Sequence, residues 1–124
     1  MSSRLSITSG SILAFLAVAC GAFGAHGLKN TLSAEMLQVF HTAADYQMWH
    51  AIGLLIIGIL QQQKTCSLLN KAAYFMLAGI TLFSGSLYAL SLSSYKMLGI
   101  ITPIGGACLL VAWALLATAS IKSN

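Results

Sequence analysis

Charged residues are scarce in this chain of 124 residues. Aspartate and glutamate together number 2, lysine and arginine number 6, and all four make up 6% of the sequence. An ordinary soluble domain has about a quarter of its residues charged, so this chain has too few to cover a surface exposed to water. Because 58% of the residues are hydrophobic, we predict an integral membrane protein, a single transmembrane domain over residues 1–124 whose first partner is the lipid bilayer.

Motifs for catalysis and for metal binding are also missing. The 3 cysteines, Cys20, Cys66 and Cys108, lack the CxxC spacing of a zinc site and the pattern of a disulfide framework. No nucleophile–base–acid set, carboxylate pair or phosphate-binding glycine loop is recognisable. The net charge of +4 comes without a basic run, which argues against a nucleic-acid partner. We therefore expect no enzyme, no metal and no cofactor.

Long apolar segments dominate what is present. Each is long enough to cross a hydrocarbon layer of ~30 Å as a helix, and the lack of strict alternation excludes a membrane barrel. The first segment resembles a signal peptide as far as Cys20, but the apolar run continues past it, which favours an uncleaved helix. The predicted fold is all-α, an integral membrane four-helix bundle with helices at about 5–26, 45–61, 72–93 and 98–120.

The connection between the first two segments carries a helix-start signal of its own. Ser33 is a plausible N-cap, and Glu35 would lie in the first turn, where a carboxylate favours the helix dipole. Met36, Phe40 and Ala44 follow at helical spacing. We predict a short amphipathic helical stretch between helices 1 and 2, either lying at the membrane interface or continuing into the second span.

Basic residues predict the orientation of the chain. Four of them fall on the side of the termini and two on the opposite side, which by the positive-inside rule puts both termini in the cytoplasm of a bacterial inner (plasma) membrane. The first group is Arg4, Lys64, Lys71 and Lys122, and the second is Lys29 and Lys96.

Small residues recur along the predicted helices at the spacing of a packing face. In the first helix they follow one another at steps of 4, 3, 4 and 3, which forms a single stripe that allows close helix approach. Pro103 predicts that the fourth helix either starts or kinks near it. The predicted packing residues are Gly10, Ala14, Ala17, Gly21, Gly24, Gly85, Gly105 and Gly106.

Four polar or aromatic side chains are candidates for a ligand site at the outer ends of helices 1 and 2: His26, Tyr46, Gln47 and His50. Polar groups in a membrane domain turn inward and find partners. The simplest interpretation is that His50 hydrogen-bonds to the first helix or to the loop and holds the two together. The alternative is a small-molecule or cofactor site that includes all four residues.

Hydroxyl groups form a stripe on the third helix, at Thr81, Ser84, Tyr88 and Ser91. Such groups usually hydrogen-bond to a neighbouring helix or back to their own backbone, and this is the interpretation we favour. The alternative is that they line a polar cavity, as in a channel.

Four motifs carry a resemblance to a known family. They are GAFGAHGLK at 21–29, YQMWHA at 46–51, FSGSLYAL at 83–90 and GIITPIGG at 99–106. In their order and context they resemble the YgdD/YwdK-like family of small inner-membrane proteins, which has small eukaryotic transmembrane relatives. The resemblance implies a four-helix membrane fold and carries no established activity.

Two functional hypotheses follow. The first is a non-enzymatic accessory, assembly or structural protein that acts through helix–helix contacts with other membrane proteins or with itself. The second is a protein that binds, and in one form transports, a small molecule or cofactor at the candidate ligand site.

Overall fold

The computed structural model describes residues 1–122 as four long helices. They are α1 (Ser3–His26), α2 (Ala34–Gln63), α3 (Ser67–Ser93) and α4 (Thr102–Ile121), with a short 3-10 helix, Lys96–Ile100, before α4. Within this range no strand is present, and all four helices are long and apolar enough to cross a membrane. The all-α, four-helix membrane fold is thereby confirmed. Residues 123–124, which close the predicted domain, lie outside the described part.

Helix α2 is longer than its apolar segment. It begins at Ala34, about three turns before the predicted start near residue 45, because Ser33 caps it by accepting a hydrogen bond from the Met36 N–H at 3.2 Å. Glu35 lies in the first turn, as predicted. The amphipathic stretch is therefore continuous with the second span, which is the second of the two predicted outcomes.

The later boundaries follow from local chemistry in the same way. Helix α3 begins at Ser67 and not near residue 72, and it ends at Ser93, because the next residue, Ser94, has a left-handed φ of 56°. Pro103 lies in the first turn of α4, where its missing N–H is not needed. Of the two predicted outcomes for Pro103, the helix start is the one observed.

Each helix packs mainly against its neighbours in the chain: α1 against α2, α2 against α3, and α3 against α4. Helices α2 and α3 are therefore central. Half of the most apolar window of α2 is buried inside the protein, whereas only 17% of that window is buried in α1 and in α4. This arrangement leaves one groove between α1 and α3 and another between α2 and α4.

The contact between α1 and α2 uses part of the predicted stripe of small residues. Gly10, Ala17 and Gly24 are buried, seven residues apart from one another. A Cβ atom added at Gly24 would come within 2.8 Å of the Phe40 ring, and one added at Gly10 would lie 3.0 Å from the Leu55 side chain. These positions set how closely the two helices approach.

Two of the predicted packing glycines make no such contact. A Cβ atom added at Gly21 or at Gly85 would meet no atom within 4 Å among the described residues. Ala14 is half-buried. A step of four along α1 from Ala17 to Gly21 rotates the chain out of the contact with α2, while the step of seven from Ala17 to Gly24 returns to it.

Glycines also set the contact between α3 and α4. A Cβ atom added at Gly105 would overlap the backbone of Phe83, and one added at Gly79 would come within 2.5 Å of the Leu109 side chain. Gly106 is looser, with an added Cβ atom 3.7 Å from the Phe83 ring. Helices α3 and α4 therefore approach each other most closely at Gly105.

A polar network joins three helices at the end that carries the N-terminus. The Gln61 Nε2 donates to the Met1 carbonyl and to the Asn70 Oδ1, both at 2.8 Å, while the Ser6 hydroxyl donates to the Gln61 Oε1 at 2.7 Å. One amide therefore holds α1, α2 and α3 together. Beside it, the Lys64 Nζ donates to the Ala119 carbonyl near the end of α4 at 3.2 Å.

Candidate functional site

Tyr46, Gln47 and His50 lie deep in the helix bundle. The Gln47 Nε2 donates to the Leu13 carbonyl, near the middle of α1, at 2.8 Å. The Tyr46 ring stacks on Phe83 in α3 with 4.6 Å between ring centroids. These contacts place the three residues about half-way along the neighbouring helices. Their predicted position at the outer ends of helices 1 and 2 is a consequence of the late predicted start of α2, and the structure corrects it.

His50 has one ring nitrogen in a hydrogen bond, and the other has no hydrogen-bond partner among residues 1–122. The side chain is 8% exposed, and its Nδ1 lies 2.6 Å from the Tyr46 carbonyl in the preceding turn. Since a carbonyl oxygen only accepts, the proton is on Nδ1, and in the neutral ring Nε2 is an acceptor. The predicted bond from His50 to the first helix or to the loop is not observed among residues 1–122: His50 bonds to its own helix, and Gln47 is the residue that bonds to α1.

Aromatic side chains surround His50 on the side away from α1. The His50 ring stacks on Tyr46 at 5.8 Å and meets Trp113 of α4 edge to face at 6.1 Å. They line a cavity of about 390 Å³ between α2 and α4, with α3 behind it, which we call the aromatic groove. Its lining includes Tyr46, His50, Phe83, Pro103, Leu110 and Trp113.

His26 is not part of this site. It is the exposed last residue of α1, just beyond Gly24, which packs on Phe40. Phe40 and His50 are ten residues apart on α2, about 15 Å along its axis. The structure therefore brings Tyr46 and His50 together, turns Gln47 towards α1, and leaves His26 near the end of the bundle. Residues 1–122 contain no group of three or more metal-ligating side chains.

Two aromatic members of the site, Phe83 and Trp113, are absent from the sequence-based set. An aromatic residue in an apolar helix gives no signal of which neighbour it faces, so the pattern of one helix could not identify them. Tyr46 and His50 are four residues apart on α2 and therefore share one face of the helix. Their proximity could be predicted from the sequence.

The four hydroxyl groups of the stripe on α3 fall into two groups in the structure, two that bond to a backbone carbonyl and two that bond to none among the described residues. Thr81 and Ser91 donate to backbone carbonyls of the preceding turn, at 2.9 Å each, as the favoured interpretation predicts. The hydroxyls of Ser84 and Tyr88 are buried and have no backbone hydrogen-bond partner among the described residues. Both line the groove between α1 and α3, so the cavity alternative applies to these two.

Comparison with known proteins gives one consistent result. Residues 20–106 match the family described as "Protein of unknown function (DUF423)". The chain is 42% identical over 120 residues to the UPF0382 membrane protein YwdK of Bacillus subtilis, covering 96% of this chain and 98% of that one. It is 44% identical over 119 residues to a UPF0382 membrane protein of Staphylococcus saprophyticus, covering 96% and 98% respectively.

None of these names assigns an activity, and no solved structure is significantly similar to the chain. The relatives are bacterial membrane proteins, in agreement with the four membrane-capable helices. The resemblance drawn from the four sequence motifs is confirmed. By a family match over most of its length and by these relatives, the chain belongs to the DUF423 family of membrane proteins of unknown function.

Proposed function

We propose that this protein is a non-enzymatic membrane protein that binds a small, ring-containing apolar molecule from the bilayer in the aromatic groove. The observation that carries the proposal is His50: an imidazole deep in the bundle, with Nδ1 bonded to its own helix and Nε2 available. Ionisable side chains within membrane helices are rare, and those that occur usually belong to a functional site.

The groove has suitable size and chemistry for such a ligand. Its volume of about 390 Å³ lies in the usual range for ligand pockets, which are mostly apolar with a few polar groups that fix orientation. Tyr46, Phe83 and Trp113 offer ring surfaces for offset stacking or edge contacts. A neutral His50 accepts at Nε2, so the ligand would present one O–H or N–H donor beside its ring.

The proposal keeps two of the four residues that the sequence suggested as ligands. Tyr46 and His50 remain, because they line the groove. Gln47 is assigned to the neighbouring groove between α1 and α3, and His26 to the exposed end of α1.

A fluorescence titration tests this site. In a Trp49→Phe background Trp113 is the only tryptophan, and 2-naphthol, a ring with one hydroxyl donor, serves as the probe. We expect saturable quenching in detergent, and up to tenfold weaker binding of 2-methoxynaphthalene, which lacks the donor. His50→Phe keeps a ring but removes the acceptor, and should abolish the preference. Equal binding of both probes, or an unchanged preference in His50→Phe, would refute the site.

A second candidate function is that of an accessory or assembly protein acting through helix contacts. The specific observation is Gly21, a member of the small-residue stripe at which an added Cβ atom would meet no atom of residues 1–122 within 4 Å. A helix of another membrane protein, or of a second copy, would approach closely there. Gly21→Leu should then remove co-purifying partners in native mass spectrometry without lowering the melting temperature, and an unchanged set of partners would count against this function.

For the location, we propose one transmembrane domain in a bacterial inner (plasma) membrane, with both termini in the cytoplasm. The supporting pattern is the excess of basic residues at the end that carries the termini. At that end are Arg4, Lys64, Lys71 and Lys122, and at the other are Lys29 and Lys96.

A further inference from the structure

The groove between α1 and α3 is a second cavity, of about 300 Å³, and the residues that line it differ from those of the aromatic groove. We call it the hydroxyl groove. The residues that matter for its chemistry are Leu13, Cys20, Gln47, Ile80, Ser84 and Tyr88. Every described residue that lines it is uncharged.

Ser84 is the unusual residue of this groove. It is 2% exposed, yet its hydroxyl has no hydrogen-bond partner among the described residues. Serine and threonine in helices ordinarily bond to a carbonyl three or four residues earlier, as Thr81 does with Leu77 and Ser91 does with Tyr88. A buried hydroxyl left without a partner is costly, so each one calls for an explanation.

Two further polar atoms accompany Ser84. The Tyr88 hydroxyl, one turn along the same face of α3, is also buried, and its hydrogen-bonding neighbour among the described residues is the Cys20 thiol, a weak acceptor. Gln47, which lines the same groove, uses its Nε2 to bond to the Leu13 carbonyl, and its Oε1 is a further acceptor. Three neutral side chains with hydrogen-bonding groups thus line one cavity, and the Ser84 hydroxyl has no partner among the described residues.

The polarity of the groove changes with depth. Tyr88 lies towards the end of the bundle opposite the termini, Ser84 lies one turn deeper, and apolar Ile80 one turn deeper again. On α1, Cys20 likewise lies nearer that end than apolar Leu13. An amphiphile with a small polar group and an apolar body would fit with the polar group beside Ser84 and Tyr88.

We propose that the hydroxyl groove binds an uncharged lipid through a free hydroxyl group, of the class of the diacylglycerols and long-chain alcohols. A hydroxyl group can donate one hydrogen bond and accept two. The Gln47 Oε1 can accept the hydrogen bond that the lipid hydroxyl donates. The Ser84 and Tyr88 hydroxyls can donate the two that it accepts, so the groove and the lipid hydroxyl are complementary. A phosphate head group is disfavoured because the lining offers no positive charge.

Native mass spectrometry of the protein in phospholipid nanodiscs tests the proposal. The probe is 1,2-dioleoylglycerol, and the matched control lipid is 1,2-dioleoyl-3-acetylglycerol, in which the hydroxyl is esterified. We expect the first to be retained on the released protein and the second to be lost. Equal retention of the two lipids, or retention of neither, would overturn the proposal.

Variants locate the binding within the groove. The double substitution Ser84→Ala with Tyr88→Phe removes only these two hydroxyls and should weaken retention about tenfold. Thr81→Val is the matched control, because the Thr81 hydroxyl also lines the groove but is already bonded to Leu77. An equal loss in Thr81→Val, or no loss in the double variant, contradicts the assignment.

Thermal unfolding separates a ligand site from a structural role. Without added lipid, Ser84→Ala removes a buried hydroxyl that has no partner among residues 1–122, so the melting temperature of the variant should equal or exceed that of the unaltered protein. With dioleoylglycerol, the unaltered protein should gain stability and the variant should not. A fall in melting temperature without lipid would identify Ser84 as structural and overturn the proposal.

Discussion

At the scale of single residues, glycines fix the distances between helices. Gly105 has the backbone of Phe83 directly opposite, so no side chain fits there without moving α3 from α4. Gly85, on α3, also lies within a helix but faces open space. The two glycines therefore differ in the space around them: Gly105 is tightly packed and Gly85 is not.

This difference gives a first prediction. Gly105→Ala should destabilise the protein by about 1–3 kcal/mol or more, because overpacking against backbone atoms has no flexible side chain to absorb it. Gly85→Ala, the control, should be neutral or stabilising by up to about 1 kcal/mol, since alanine is the better helix former. Thermal unfolding in detergent, followed by circular dichroism, measures both. Similar melting temperatures for the two variants would contradict the contact at Gly105.

At the scale of elements, a few polar contacts fix the register of the helices. Gln47 ties α2 to the Leu13 carbonyl of α1, and Gln61 joins three helices at the end with the N-terminus. In an apolar surrounding such bonds specify which residues face one another, whereas leucine and isoleucine contacts tolerate sliding.

Gln61 supplies a prediction at this scale. Gln61→Leu leaves the Ser6 hydroxyl, the Met1 carbonyl and the Asn70 side chain without their shared partner, and should lower the free energy of unfolding by about 1–3 kcal/mol. Gln62→Leu changes the same residue type at the exposed neighbouring position and should have little effect. Denaturation by SDS titration compares the two, and equal effects would show that the network is unimportant for stability.

Sequence patterns predict the elements better than their contacts. The apolar segments identify four helices, Ser33 identifies a cap, and Pro103 a helix start, because each signal is local. The depth of Tyr46 and His50 could not be predicted from the sequence. The first turns of α2 contain polar residues, so the apolar segment alone places the start of the helix too late. The partners Phe83 and Trp113 depend on the register between helices, which the pattern of one helix does not contain.

At the scale of the whole molecule, Tyr46 and Gln47 are neighbours in the chain but face different grooves. Tyr46 lines the aromatic groove and Gln47 lines the hydroxyl groove. Helix α2 therefore contributes to two cavities of different chemistry, one aromatic with an imidazole and the other neutral with hydroxyls. A substitution of a residue that lines only one groove should change ligand binding in that groove and leave the lining of the other groove intact.

The orientation of the molecule can be tested at Cys66, in the connection before α3. Backbone N–H groups of Leu69 and Leu68 at the start of α3 lower the pKa of this thiol, and Lys64 adds to the effect. A lowered pKa means more thiolate at a given pH, so alkylation should reach its plateau rate at a lower pH than for an ordinary exposed thiol.

A membrane-impermeant maleimide should therefore label Cys66 in inside-out vesicles and not in right-side-out vesicles, if both termini are cytoplasmic. Cys66→Ser is the control, and should remove the rapid labelling, because Cys20 and Cys108 lie within the helices. Labelling in right-side-out vesicles alone would reverse the orientation.

The packing of each helix on its neighbours in the chain has a consequence for biosynthesis. Each helix can dock on the helix before it as soon as it is made, so assembly can keep pace with translation. As α2 leaves the ribosome, Gln47 can already find the Leu13 carbonyl, and α3 then completes the Gln61 network. Nascent chains truncated after α3 should therefore already hold the first three helices in their final arrangement, with α4 added last along the face of α3.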